Sequence, residues 1–414
     1  MKSRNLKKGS LKPAESYQDK LKASLHVLVV GFALFSMFFG SGNLIYPLTV
    51  GQNLNQSMFL YGLLGFLLTA VLVPFSGTLT MVLFDGNYNS LLHYFGKKFG
   101  ILITFIVLLF WIPLGSGPRC ITVSHAAFKT ASLHTGFPEV PLWLFSLIYS
   151  LLIYWLSFKK SRILDIIGGL LTPFLLISLL ITIYLGLQGD PSPLPSIATS
   201  LQAASHPSFA FSLGLQEGYY TMDLISSLFF SSTVIGILKR QAKKKHPETH
   251  PNIRSSAYLW EAARASVIGV GILTLVYIGL IKLAIQHSEV LLTANVPKEA
   301  MISYLAIKIL GFPMAGFTLS AIILACLTTS IALCAVFSEF LQLYIFKHSS
   351  YRTCLLFSTS IVFAVSTQGF SLISSISTPV FQILYPFLIL LILIVVPIEL
   401  YRRRQKSSAQ SRRF

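Results

Sequence analysis

Four groups of residues carry side chains that could do chemistry in an otherwise apolar chain. The first is Gly40-Ser41-Gly42-Asn43, set between Phe35-Ser36-Met37-Phe38-Phe39 and Leu44-Ile45-Tyr46-Pro47. The second is Glu217-Gly218-Tyr219-Tyr220-Thr221-Met222-Asp223, with apolar residues on both sides. The third is Thr328-Thr329-Ser330, directly after Ala325-Cys326-Leu327, and the fourth is Arg119, preceded by Gly115, Gly117 and Pro118. Each glycine weakens a helix interior by about 1 kcal/mol relative to Ala. With Asn43 beside them, Gly40 and Gly42 point to a broken helix whose freed backbone groups line a cavity. A close-packed face of small residues is the alternative for the glycines alone. Neighbouring hydroxyls are oxygen ligands of the sort hard cations take, although Thr and Ser also back-bond to their own helix.

The charges pose a sharper question. A charge at the centre of a bilayer costs at least about 2.5–3.5 kcal/mol, so it faces a cavity or a partner. Glu217 could lie shallow, but Asp223 would be deep. Arg119 needs a partner, and Glu217, Asp223 or Glu339 could serve in a gating or structural ion pair. Snorkelling to an interface and contact with a bound carboxylate are the other readings.

The elements that must position these residues follow from composition. Of the 414 residues, 54% are hydrophobic and 11% charged, and the mean hydropathy is +0.70. Soluble domains carry about 25% charged residues, so an integral membrane protein is expected. About 20 apolar residues cross the hydrocarbon core as a helix. Ten stretches qualify, near residues 25–50, 58–84, 100–127, 141–158, 163–187, 209–238, 257–286, 313–345, 353–368 and 372–400. The formal charge of +18 then has a topological meaning. With both termini inside, 26 of the 32 Lys and Arg fall on inner segments, which supports an N-in/C-in orientation rather than a nucleic-acid partner. The four cysteines lack metal-ligand spacing, so neither a transition metal nor a disulfide framework is expected.

The Gly40–Asn43 and Gly218–Asp223 interruptions fall in the first and sixth spans, five spans apart. The chain therefore divides into a basic tail (1–23), a five-helix repeat (24–188), a linker (189–208), a second five-helix repeat (209–400) and a basic tail (401–414). An odd number of spans inverts the second repeat. Interrupted helices at matching places in inverted halves point to a secondary transporter with its site near the midplane. No zinc, nucleophile-elbow or phosphate-loop motif argues for a membrane-embedded enzyme, and no filter-like segment argues for a channel.

At these residues the sequence resembles the bacterial branched-chain amino acid carriers, the sodium- or cation-coupled leucine/isoleucine/valine symporters. The resemblance covers nearly the whole chain. It rests on Phe32-Ala33-Leu34-Phe35 through Asn43 and Pro47, Pro118-Arg119 with Thr122-Val123-Ser124, Gly218-Tyr219 with Thr221-Met222-Asp223, Ala325-Cys326-Leu327, and Glu339-Phe340. It implies an all-α fold of two five-helix inverted repeats with broken helices 1 and 6. It further implies import of a branched-chain or other apolar amino acid by symport, with no cofactor, in the bacterial cytoplasmic membrane. Many relatives have twelve spans, so ten cover the repeat core and omit the last pair. By resemblance, Gly40, Ser41, Gly42, Asn43, Gly218, Tyr219, Thr221 and Asp223 would bind substrate. Ser36, Phe39, Ala325, Thr328 and Thr329 would bind the coupling ion, sodium or else a proton. Arg119, Glu217 and Glu339 would form the gate or ion pair. The partners are then an amino acid and the lipid bilayer, with the oligomeric state unassigned.

Overall fold

The computed structural model describes residues 17–94, 96–158, 163–189, 206–245 and 251–411. Among these, helices and short turns account for the regular structure and no strand occurs. The first broken span is α1 (Tyr17–Phe38) and α2 (Ser41–Gln52), bent by 72°. Next come α3 (Phe59–Leu67), α4 (Val73–Leu83), α5 (Tyr88–Leu92), α6 (Lys97–Trp111), α7 (Gly117–Thr135), α8 (Leu142–Ser157) and α9 (Ile163–Gln188). The later part holds α10 (Pro207–Tyr220), α11 (Asp223–Lys245), α12 (Pro251–Gln286), α13 (Ser288–Thr293), α14 (Met301–Leu310), α15 (Met314–Phe340), α16 (Tyr351–Ser366) and α17 (Gly369–Ser411).

By length and composition, six helical runs among the described residues can cross a membrane, one of them (Pro207–Arg240) containing the short interruption between α10 and α11, and the bent α1–α2 pair makes a seventh. Three shorter apolar helices, Leu142–Ser157, Pro173–Gln188 and Tyr351–Ser366, lie where three more spans are expected, but length and composition do not by themselves make them crossings. Two long runs join through one turn of π-helix, Leu68–Leu72 between α3 and α4, and Ile112–Ser116 between α6 and α7. Pro74 and Pro118 explain both. A proline has no N–H for the carbonyl four residues back and its ring crowds that carbonyl. The carbonyls concerned belong to Ala70 and Leu114, inside the two widened turns.

The two interrupted spans pack against each other crosswise, α1 on α11 and α2 on α10. First half against second half is an antiparallel pairing. Around them, α12 lies along both α1 and α2, α10 packs on α3, α11 on α4, and α7 on α15.

Several boundaries differ from expectation. The inner loop expected over 239–256 is largely helical, because α11 continues to Lys245 and α12 starts at Pro251. The C-terminal tail expected from 401 continues α17 as far as Ser411. Glu261 lies inside α12, and its Oε1 stands 3.3 Å from Nδ1 of His26 on α1. The segment between α12 and α15 is built from α13, a turn at Lys298–Ala300 and α14. Most of the 1–23 tail (residues 1–16), most of the 189–208 linker (190–205), and residues 412–414 lie outside the described residues.

Candidate functional site

The break in the first span falls at Phe39–Gly40. Gly40 is extended, with φ −128° and ψ −163°, and acts as N-cap of α2. Its N–H donates to Oδ1 of Asn43 at 2.7 Å. In a continuous helix that N–H would bond the carbonyl of Ser36. Asn43 thus satisfies one of the orphan donors of the α2 N-terminus and releases the Ser36 carbonyl from that bond. Ser41, Gly42 and Asn43 form the first turn of α2 and are all buried.

The break in the sixth span falls at Thr221–Met222, later than Gly218. Met222 has φ +65°, a left-handed conformation that costs a non-glycine residue about 1–3 kcal/mol and tends to persist at functional sites. Gly218 and Tyr219 sit within α10. At Gly218 the helix runs so close to its neighbour that a Cβ would lie 2.0 Å from Thr69 Oγ1 and 3.0 Å from the Phe66 carbonyl. The nearest neighbour of Gly42 is the break itself, since a Cβ there would lie 3.0 Å from the Thr221 carbonyl.

The two breaks are tied together by side chains. Nδ2 of Asn43 donates to Asp223 Oδ1 at 2.9 Å and to Oδ2 at 3.0 Å, and also contacts the Tyr277 hydroxyl. The Tyr277 hydroxyl donates to Asp223 Oδ2 at 2.5 Å. Asp223 is the first residue of α11, where a carboxylate is favoured by the positive end of the helix dipole. The next N–H of that helix, from Leu224, donates to the Tyr385 hydroxyl at 2.9 Å. One buried cluster thus joins the first, sixth and seventh spans with α17.

Arg119 departs from expectation. It is fully buried, yet none of Glu217, Asp223 and Glu339 forms an ion pair with it. Its Nη1 donates to the Tyr46 hydroxyl and, at 2.9 Å, to the Tyr220 carbonyl at the end of α10. Its Nη2 stands 2.9 Å from the Met222 sulfur, and its Nε has no partner among the described residues. Glu217, also buried, is claimed instead by Lys298 at 3.6 Å, leaving Oε2 unpartnered among the described residues. Glu339 is exposed on α15, within electrostatic reach of Tyr88 and Tyr351. An arginine at the carbonyl end of α10 meets the negative end of that helix dipole, which accounts for its position without a carboxylate.

The hydroxyls of α15 divide between two behaviours. Thr329 Oγ1 points across the gap to the Phe39 carbonyl at 3.4 Å, while Thr328 Oγ1 back-bonds to the Ala325 carbonyl at 2.8 Å. Ser36 is half-buried on α1. Hydroxyl and carbonyl oxygens from α1 and α15 around this gap suit a hard cation.

Sequence reasoning missed Tyr46, Tyr277, Tyr385 and Lys298. A phenol inside an apolar run is a usable signal, because a buried tyrosine hydroxyl needs a hydrogen-bond partner. A cavity of about 280 Å³ between α7, α8 and α15, lined by Phe128, Phe145, Ile148, Leu152, Ile323 and Leu327 among others, lacks the charged groups a zwitterion would need.

Two interrupted antiparallel spans meeting at a buried polar centre define a multi-span, all-helical membrane protein of the transporter kind. Comparison with known proteins makes the assignment specific. Residues 23–411 match the sequence profile of a family described as branched-chain amino acid transport protein. A putative branched-chain amino acid carrier protein of Staphylococcus saprophyticus is 33% identical over 371 residues, covering 89% of this chain and 81% of that protein. One from Staphylococcus aureus is 32% identical over 379 residues, with the same coverage. The chain belongs to the branched-chain amino acid transport protein family, which makes it a transport protein rather than an enzyme. Among solved structures, the inward facing conformation of Mhp1 shares the fold, with TM-score 0.53 and 15% identity over 87% of this chain and 73% of that one. A closed conformation of Mhp1, described as a nucleobase-cation-symport-1 family transporter with bromovinylhydantoin bound, gives TM-score 0.55 and 16% identity over 83% and 72%.

Proposed function

We propose that the protein is a secondary active transporter that imports branched-chain or other apolar amino acids by cation symport. Sodium is the coupling ion of choice and a proton the alternative. The reading places the chain in the bacterial cytoplasmic membrane, N-in/C-in, as two inverted five-helix repeats over 24–188 and 209–400. The observation that carries it is the direct tie between the two breaks, from Asn43 to both oxygens of Asp223. A polar tie across two interrupted helices is a two-state element that a ligand at the breaks can bias, and alternating access requires one.

In this reading the substrate lies where Gly40, Ser41, Gly42 and Asn43 face Thr221 and Asp223, with Gly218 and Tyr219 supporting the break from within α10. The cation sits among Ser36, Phe39, Ala325, Thr328 and Thr329, supplies positive charge and draws α1 to α15. An apolar pocket separates side chains differing by one methylene by only about 1–3 kcal/mol, so Leu, Ile, Val and Met overlap as substrates. The test is uptake of labelled leucine, isoleucine, valine and methionine into proteoliposomes, with and without an inward sodium gradient. Gradient-dependent, saturable uptake is expected, and its absence for all four under both sodium and proton gradients overturns the reading. For Thr328→Ala with Thr329→Ala, the apparent sodium affinity should fall by roughly 10-fold or more, as loss of two charge-assisted oxygen contacts implies. Leucine affinity at saturating sodium should change less. An unchanged sodium dependence would mean that the cation binds elsewhere.

A further inference from the structure

Arg119 is a fully buried cation whose charge no carboxylate of the described residues neutralises by direct contact. Asp223, the carboxylate within electrostatic reach, is already engaged by Asn43 and Tyr277, and the other buried carboxylate of the sixth span, Glu217, by Lys298. The guanidinium is used unevenly. Nη1 carries both strong bonds, to the Tyr46 hydroxyl and the Tyr220 carbonyl. The opposite edge holds Nε, with no partner among the described residues, and Nη2, which meets the Met222 thioether. A thioether is a weak acceptor. The Nε–Nη2 edge is a side-on fork that matches the two oxygens of a carboxylate. The guanidinium lies beside the Thr221–Met222 break, with Nη1 on the Tyr220 carbonyl and Nη2 on the Met222 sulfur.

We propose that the Nε–Nη2 edge of Arg119 receives the α-carboxylate of the transported amino acid, displacing the Met222 thioether. This rests on the amino-acid transport reading above. It assigns the carboxylate to a side chain of the third span rather than to the N–H groups of α2. The Met222 sulfur, on the residue with φ +65°, meets only Nη2 of the Nε–Nη2 edge, and a thioether is an acceptor that a carboxylate oxygen outcompetes. Asp223, within electrostatic reach of Arg119, lies near the ammonium end of the same zwitterion, with the Tyr220 and Thr221 carbonyls beside it.

The test uses the purified full-length protein with labelled leucine, and with leucinamide and leucinol as competitors that keep the ammonium and side chain but lack the carboxylate. Wild type should prefer leucine by roughly 10- to 100-fold, the range for loss of a charge-assisted bidentate contact. In Arg119→Gln the preference should shrink to within a few-fold, with Arg119→Lys between the two. Because an arginine variant can fail to fold, a wild-type measurement runs beside it. Carboxyl-¹³C leucine and guanidinium-¹⁵N protein should give a carbon-to-nitrogen distance of about 3.5–4 Å by solid-state NMR, as bidentate pairing sets. Leucine binding with no such short distance, or an Arg119→Gln protein that keeps the full preference, overturns the inference alone. Wild type that binds no branched-chain amino acid overturns the transport reading, and this inference with it.

Discussion

At the scale of single residues, Asp223 concentrates the energetics of the site. It is fully buried and accepts bonds from Asn43 and Tyr277. Both partners are neutral donors, and losing one hydrogen bond to a buried charged group costs about 1.5–3 kcal/mol. Asn43 touches both carboxylate oxygens and also caps Gly40, so Asn43→Ala strips three bonds at once. Tyr277→Phe strips fewer. We expect Asn43→Ala to abolish uptake and to lower the thermal midpoint of the detergent-purified protein more than Tyr277→Phe does. The reverse order in a melting experiment would show that the Asn43 tie is incidental. The sequence made Asn43 and Asp223 legible, since polar groups in mid-span are costly, and it also marked Arg119. It could not pair them. Which acid meets which base depends on rotamers and on helix crossings that hydropathy does not encode, and Arg119 pairs with a carbonyl and a phenol instead.

At the scale of elements, both interruptions were legible, and the exact break points were not. Gly218 reads as a helix breaker in isolation, yet its lack of a Cβ serves the close approach of α10 to the Phe66–Thr69 stretch. Packing against backbone overrode propensity, and the break fell at Met222 instead. Gly218→Ala should therefore destabilise and impair uptake, because the carbonyl of Phe66 cannot swing aside. Gly236, on α11, has open space within 4 Å of where a Cβ would stand, and Gly236→Ala should be neutral or stabilise by up to about 1 kcal/mol. Equal effects in parallel melting curves would count against the packing argument. The segment between α12 and α15, which reads as a loop in the sequence, brings Lys298 to Glu217 on α10. That tie crosses from the connecting segment to the helix that carries the break. Lys298→Met and Glu217→Gln should each alter uptake kinetics, and the double variant should recover part of the loss. The coupling expected for contacting residues is about 0.5–3 kcal/mol in a double-mutant cycle. Strict additivity would mean that the two side chains do not act on each other.

At the scale of the whole molecule, composition and hydropathy made the membrane class legible. The charge asymmetry supplied an orientation, and helix length alone accounts for seven crossings and three shorter apolar helices among the described residues. Length and composition do not say on which side of the membrane each helix end lies, so topology needs a sidedness measurement. The protein suits one: Cys120, Cys326, Cys334 and Cys354 are all buried, so the background for thiol labelling is low. In the N-in/C-in reading, Thr293 at the end of α13 faces outward, and His348 between α15 and α16 faces the cytoplasm; both are exposed. In intact cells, a membrane-impermeant maleimide should label a Thr293→Cys variant and spare His348→Cys. Permeabilised cells should label both. The basic residues argue the same way, because inner segments rich in Lys and Arg resist translocation. An intact-cell pattern with His348→Cys labelled and Thr293→Cys protected would invert the orientation. The half-helices that meet at Gly40 and Asp223 would then exchange the compartments they lead to, so the entry and exit paths would be reassigned while the ion gradient still set the direction of coupled transport.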